Sequence, residues 1–142
     1  MAVVAVSIAT GARADTAPVE SSLGRQLFVG EVDLQGRIRT HRENLRSDVL
    51  RCANCHAFAD GPEVPRSLAP RLNRDILLGR HARRGGPASV YGLGTFCKLL
   101  REGVDPAFVL ISLEMPVYAL GDTQCRALWG FLLWSGDAAN SH

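Results

Sequence analysis

Three neighbouring side chains in the first half of the chain could together hold a prosthetic group. Cys52 and Cys55 are three residues apart, and His56 follows directly, in the run Cys-Ala-Asn-Cys-His. Residues three and four apart on a helical turn share a face, so both thiols and the imidazole can point at one object. Two thiols can add to the vinyl groups of a haem while the imidazole ligates its iron, and this pentapeptide is the c-type attachment signal. The sequence therefore predicts one covalently bound haem c, with thioethers at Cys52 and Cys55 and with His56 on the iron.

Three other interpretations of the two cysteines remain open. A zinc site would need Cys97 and Cys125 as further ligands, but those two lack the close pairing typical of structural zinc modules. A thioredoxin-like redox pair would need a βαβ context, which the pattern does not offer. A purely structural disulfide between Cys52 and Cys55 is the third interpretation.

Composition and targeting signals suggest one small exported domain. The chain has 142 residues, 46% hydrophobic and 21% charged, with a formal net charge of +2, which gives no case for a nucleic-acid partner. Residues 1–14 join a short apolar run to Ala12-Arg13-Ala14, an A-x-A cleavage pattern, so we predict a signal peptide there. A single domain over residues 15–142 and a periplasmic location follow. No stretch has the length of a transmembrane helix, so we expect no stable membrane insertion.

The even number of cysteines suggests a disulfide in an exported protein. Export would place the chain in an oxidising compartment, where disulfides persist. Two of the four cysteines are used by the haem motif, which leaves Cys97 and Cys125 as a candidate disulfide.

Hydrophobic periodicity and capping residues predict short helices joined by long loops. The first helix begins at Ser21 or Ser22 and ends at Gly30, and residues 31–51, which we call the arm, are irregular. Four prolines or glycines between residues 59 and 70 indicate a loop. Further helical segments are predicted over three stretches: 72–78, 95 to Gly103 with Thr95 as the cap, and 122 to Gly136 with Asp122 as the cap.

In the order of its motifs, the sequence resembles the class I cytochromes c over roughly residues 23–135. The resemblance rests on four features: Gly24 with Phe28 in the first helix, the Cys52 to His56 motif, Pro70-Arg71-Leu72, and Met115-Pro116-Val117-Tyr118. It implies an all-α fold of short helices and long loops wrapped around the haem. It also implies a close crossing of the first helix, at Gly24, with Leu128 and Phe131 of the last.

The resemblance further implies two supporting residues for the iron site. Met115 would be the second axial ligand, since a thioether is a soft ligand and Pro116 keeps the preceding residue extended. The carbonyl of Pro70 would accept a hydrogen bond from His56 and orient its ring, with Pro62 and Pro65 as competitors for that role.

Other residues compete for roles at the haem. His41 and His81 are alternative sixth ligands, although both lie among arginines in polar stretches. The arm is longer than the family's usual link, and both tryptophans lie in the last helix, so the partners of the haem propionates are left open. The candidates are Arg74, Arg80, Arg83, Arg84 and Tyr91.

With His56 and Met115 both on the iron, no site would remain for a substrate, so we expect an electron carrier and not an enzyme. Its partners would be redox proteins, steered weakly by Arg51, Arg66 and Arg71. If Met115 stays off the iron, the alternative is a haem enzyme or gas sensor with an open sixth site. A third interpretation makes the chain the electron-accepting subunit of a periplasmic dehydrogenase, docked through the arm.

Overall fold

The computed structural model describes residues 17–57 and 69–137 of the chain, without the side chains of residues 17–21 and 135–137. The predicted signal peptide over residues 1–14 lies outside the described residues. Four α-helices, four two-residue strands and one 3₁₀ turn are present within them. In chain order they are α1 (Ala17–Val29), β1 (Gly36–Arg37), the 3₁₀ turn (Cys52–Asn54), α2 (Arg74–Leu78), β2 (His81–Ala82), β3 (Ala88–Ser89), α3 (Leu93–Glu102), β4 (Val117–Tyr118) and α4 (Asp122–Asp137).

The first and last helices cross at Gly24, as the resemblance implies. A Cβ at Gly24 would lie 2.6 Å from Cβ of Phe131 and would also meet the main-chain carbonyl of Ala127. The ring of Phe28 lies 5.7 Å from the ring of Phe131, centroid to centroid. Glycine at this point therefore lets the two backbones approach closely, although the second partner is Ala127 where the prediction has Leu128.

Helix ends are predicted better than helix starts. α1 and α3 stop before Gly30 and Gly103, whose φ angles of +82° and +71° suit glycine, so both predicted stops are confirmed. The prediction that Thr95 is the N-cap of α3 is wrong, because Gly92 is the N-cap and the helix begins at Leu93. Thr95 is the third helical residue, and its hydroxyl accepts from the Gly92 N–H at 2.9 Å. α1 starts earlier than predicted, at Ala17.

The bounds of the other two helices differ from the predicted bounds by one or two residues. The short α2 is capped by Asn73, whose side chain accepts from the Ile76 N–H at 2.9 Å. In α4, Asp122 is the first helical residue, and the helix continues through Gly136 to Asp137.

The predicted all-α fold class is wrong, because two small antiparallel sheets accompany the helices. β1 pairs with β4, with Gly36 opposite Tyr118 and Arg37 opposite Val117, and β2 pairs with β3 across a tight turn. Loop backbone that leaves water must find hydrogen-bond partners, and here extended segments supply them for one another. Strands of two residues are too short to show an alternating pattern, so the sequence carries no signal for them.

A disulfide joins α3 to α4, as predicted for Cys97 and Cys125, with their Cα atoms 5.8 Å apart. Both residues belong to a continuous apolar core formed by α1, α3 and α4 together with the ends of the arm. Cys52, Ala53 and Met115 are partly buried against that core. The Cys-Ala-Asn-Cys-His motif and the loop from Ile111 to Pro116 that carries Met115, which we call the methionine loop, are thus both supported by the same packed interior.

Candidate functional site

The residues of the Cys-Ala-Asn-Cys-His motif lie on one tight turn. Cys52 begins the 3₁₀ turn, and its carbonyl accepts from the N–H of Cys55 at 3.1 Å and from that of His56 at 2.9 Å. Asn54 anchors the turn to the end of the arm, because its side-chain amide donates to the carbonyls of Asp48 and Val49. Both thiols and the imidazole are therefore placed within one turn of backbone.

The ring of His56 is buried and oriented by a single hydrogen bond. Its Nδ1 lies 2.8 Å from the carbonyl oxygen of Pro70, the contact that the resemblance implies. A carbonyl can only accept, so Nδ1 carries the proton and Nε2 keeps its lone pair. Burial lowers the pKa of His56, and the bond to Pro70 opposes this shift. The neutral imidazole with a free Nε2 lone pair is the form that ligates a metal.

Backbone pairing brings Pro70 back to the motif. The Leu72 N–H donates to the Ala57 carbonyl at 2.8 Å, so the chain after residues 58–68 returns beside His56. Residues 58–68 lie outside the described part of the chain, and with them Pro62, Pro65 and Arg66. The described residues therefore supply a partner for the His56 ring without those two prolines.

The two thiols differ in exposure. Cys55 is exposed and Cys52 half-buried, and neither forms a disulfide. Burial raises the pKa of Cys52 to about 12, partly offset by hydrogen bonds from its own backbone and from Tyr118. Redox-active pairs depend on a lowered thiol pKa, so the direction of the shift at Cys52 does not favour a thioredoxin-like site.

The zinc interpretation also loses its ligands. It needs Cys97 and Cys125, and those two sulfurs are bonded to each other. Within the described residues, no group of three or more His, Cys, Asp and Glu side chains is placed to hold a metal ion. The remaining donor set, two thiols and one neutral imidazole on a single turn, fits covalent attachment of a haem with one axial ligand.

Met115 lies in a turn just before β4. Its N–H donates to the Ser112 carbonyl at 3.3 Å, and its side chain is partly buried against the core. Three residues later, the Tyr118 hydroxyl donates to the Leu50 carbonyl at 3.2 Å and also reaches the thiol of Cys52. Tyr118 thereby joins the methionine loop to the chain just before the Cys52 to His56 motif. The Met-Pro-x-Tyr run contains Tyr118, but no sequence pattern indicates this contact with Leu50.

The two competing histidines have other surroundings. His41 is exposed on the arm, and its main-chain carbonyl accepts from Arg37 at 3.1 Å. His81 forms part of β2, and its Nε2 lies 3.0 Å from the Asp75 carbonyl. Neither histidine has the buried, singly bonded ring that His56 has.

Among the candidate propionate partners, Arg83 is already engaged. Its guanidinium donates to the carbonyls of Ile76, His81 and Ser89 and lies 4.4 Å from the ring centre of Tyr91. Burial is the main cause that raises the pKa of Tyr91. Arg83 thus ties the β2–β3 hairpin to α2, while Arg74, Arg80 and Arg84 are exposed.

Comparisons of this chain with protein-family models, curated proteins and solved structures find no match. The site must therefore be interpreted from its own residues. Within residues 17–57 and 69–137, no helix is long and apolar enough to cross a membrane.

Proposed function

We propose that this chain is a periplasmic electron-transfer protein that carries one covalently attached haem c. Cys52 and Cys55 provide the thioethers, and His56 and Met115 provide the axial ligands. The observation that carries the proposal is the hydrogen bond from His56 Nδ1 to Pro70, which leaves Nε2 as a ligand beside two unpaired thiols. When bound, the haem supplies a one-electron ferric/ferrous couple, whose potential is set by its ligands and surroundings.

The chain's own residues tune the proposed histidine ligand. The Pro70 carbonyl fixes the ring plane of His56 and makes Nε2 a stronger donor. Burial disfavours the charged imidazolium, so a proton competes less for the same lone pair. Burial therefore keeps His56 neutral at the pH of the periplasm, while the bond to Pro70 keeps its ring correctly oriented.

Methionine as the second ligand favours electron transfer over catalysis. A thioether stabilises ferrous iron and raises the potential, and a filled sixth position leaves no room for substrate or oxygen. Met115 is half-buried against apolar neighbours, where water competes poorly for the position. The exposed side chains of Arg51 and Cys55 mark the surface where a partner redox protein would dock.

Haem attachment is tested first, in protein produced with a c-type maturation system. We expect the haem to stay with the protein in acidified organic solvent and to become extractable in the double variant Cys52→Ser/Cys55→Ser. Cys97→Ser/Cys125→Ser is the matched control, because it removes two cysteines outside the motif and should keep the haem bound. Extraction of haem from the unmodified protein would refute the thioether linkage.

The axial ligand is tested by optical spectroscopy of the ferric protein. We expect a low-spin spectrum with the methionine sulfur-to-iron charge-transfer band, lost in Met115→Ala. Leu113→Ala, an exposed position on the same loop, is the control that should keep the band. A high-spin spectrum and ready binding of carbon monoxide in the unmodified protein would support the enzyme or sensor interpretation instead.

A further inference from the structure

The arm, residues 31–51, forms backbone contacts with a segment more than seventy residues away. Its strand β1 pairs with β4, so Gly36 and Arg37 lie opposite Tyr118 and Val117. The Ala119 N–H extends this pairing by donating to the Gln35 carbonyl at 2.9 Å. The arm therefore holds the chain immediately after Met115 and Pro116.

Arg39, two residues beyond β1, holds the same segment at its other end. Its two terminal nitrogens donate to the carbonyls of Gly103, at 2.5 Å, and Ile111, at 2.6 Å. Those two residues are themselves paired, because the Ile111 N–H donates to the Gly103 carbonyl at 3.0 Å. The half-buried guanidinium thus closes the base of the loop between them with two charge-assisted hydrogen bonds.

Glycine at position 103 makes room for this contact. A Cβ there would lie 2.8 Å from Cζ of Arg39 and against the adjacent nitrogen, so any larger residue would displace the guanidinium. Gly103 also has a φ of +71°, which other residues rarely adopt. The position that ends α3 is therefore the position that receives Arg39.

Between these two contacts lies the short segment from Ile111 to Tyr118, which contains Met115. Both ends are held by the stretch from Gln35 to Arg39. A loop with fixed ends samples fewer conformations than one with a free end, so its side chains leave a given position less often. Within the segment, the Ser112 hydroxyl and carbonyl accept from Glu114 and Met115 and add a local turn.

We propose that Arg39 is a positioning residue that keeps Met115 on the iron, and that the role of the arm is to place Arg39 against the segment that contains Met115. The inference rests on the proposed function, in which Met115 is the axial ligand. Arg39 acts through the carbonyl of Ile111, four residues before the methionine, and β1 acts through β4 on the other side.

The test measures how easily an added ligand displaces Met115. Ferric protein is titrated with imidazole, whose apparent affinity rises in proportion to the fraction of protein with the methionine released. We expect Arg39→Gln, which loses both charge-assisted hydrogen bonds, to bind imidazole about tenfold more tightly than the unmodified protein. Arg39→Lys keeps the charge but not the two-pronged geometry, so its affinity should fall between the two.

Arg46→Gln is the matched control. Arg46 lies in the same arm, but outside β1, and its exposed guanidinium donates to the carboxylate of Asp48. The imidazole affinity of Arg46→Gln should stay within about twofold of the parent value. Hydrogen–deuterium exchange supplies a readout that needs no iron chemistry: amides from Ile111 to Ala119 should exchange faster in Arg39→Gln and not in Arg46→Gln.

The outcomes separate the inference from the proposed function. If the unmodified protein shows the methionine band, but Arg39→Gln matches it in both imidazole affinity and exchange, the positioning role is refuted while the carrier function stands. Equal effects of Arg39→Gln and Arg46→Gln also refute it. If the unmodified protein lacks the band and binds imidazole as Met115→Ala does, the proposed function fails. Should Arg39→Gln not fold, the milder Arg39→Lys carries the same comparison.

Discussion

Replacing Gly24 with alanine should force α1 and α4 apart, because the added methyl group has no space between the two backbones. Its carbon would lie 2.6 Å from Cβ of Phe131 and still closer to the main-chain carbonyl of Ala127. Carbon atoms in good contact are about 3.5–4.0 Å apart, so a shift of roughly 1 Å is needed. Neither neighbouring atom is the flexible end of a side chain, so the helix itself must move.

The magnitude follows from two opposing contributions. Alanine stabilises a helix interior by about 0.5–1 kcal/mol relative to glycine, whereas overpacking a well-packed contact costs about 1–3 kcal/mol. Gly130 isolates the first contribution, because it lies inside α4 and a Cβ there would meet nothing within 4 Å. Gly130→Ala should therefore raise the free energy of unfolding, and Gly24→Ala should lower it by about 0.5–2 kcal/mol.

The assay is guanidinium unfolding of both variants and the parent protein, followed by far-ultraviolet circular dichroism under identical conditions. The slope with denaturant should be unchanged, so that the midpoints report stability alone. If Gly24→Ala proves as stable as Gly130→Ala, the close helix crossing is not where the structure places it.

Three further perturbations have directions fixed by single contacts. Arg101 donates to Asp122 at 2.6 Å and lowers the pKa of that carboxyl. A carboxyl whose pKa is lowered by folding stabilises the fold at any pH above its ordinary pKa, and this stabilisation is lost as the pH falls through the lowered pKa. Asp122→Asn should therefore reduce the melting temperature at about pH 7 but not at about pH 2. Replacing Cys97 and Cys125 together by alanine removes a cross-link spanning 28 residues and should cost about 3–4 kcal/mol in denaturant unfolding. Asp105 accepts from the N–H groups of two residues in its own loop through one oxygen, so Asp105→Asn should retain most of the stability while Asp105→Ala should lose about 2–4 kcal/mol by the same measurement.

The features that could be predicted from the sequence are those that depend on residues close together in the chain. Cys52, Cys55 and His56 lie within one turn, so their spacing alone predicts that they meet, and the described turn places them together. Helix stops at Gly30 and Gly103 follow from the positive φ that each requires. The pairing of Cys97 with Cys125 follows from counting, once the motif has used the other two cysteines.

The features that the sequence did not predict depend on backbone atoms, which every residue shares. The carbonyls of Gly103 and Ile111 carry no sequence signature as acceptors, so the sequence does not distinguish Arg39 from the other arginines of the arm. β1 and β4 contribute two residues each and lie about eighty positions apart, a separation at which no periodicity survives. The β1–β4 sheet and the contact of the arm with the segment around Met115 were therefore missed together, since both arise from the same non-local pairing.

The Cys97–Cys125 disulfide and the contacts of the arm both constrain the chain between α3 and α4, which contains Met115. The disulfide fixes the ends of a segment that runs from α3 to α4 and contains Met115 well inside it, so alone it leaves a long loop free to move. Arg39 and β1 divide that loop, and only the short stretch from Ile111 to Tyr118 remains between fixed points. The entropy cost of closing a loop grows slowly with its length. The contacts of Arg39 and β1 therefore matter less for the free energy of unfolding than for the position of the Met115 side chain. The disulfide should accordingly dominate the free energy of unfolding, while Arg39 should dominate the retention of Met115.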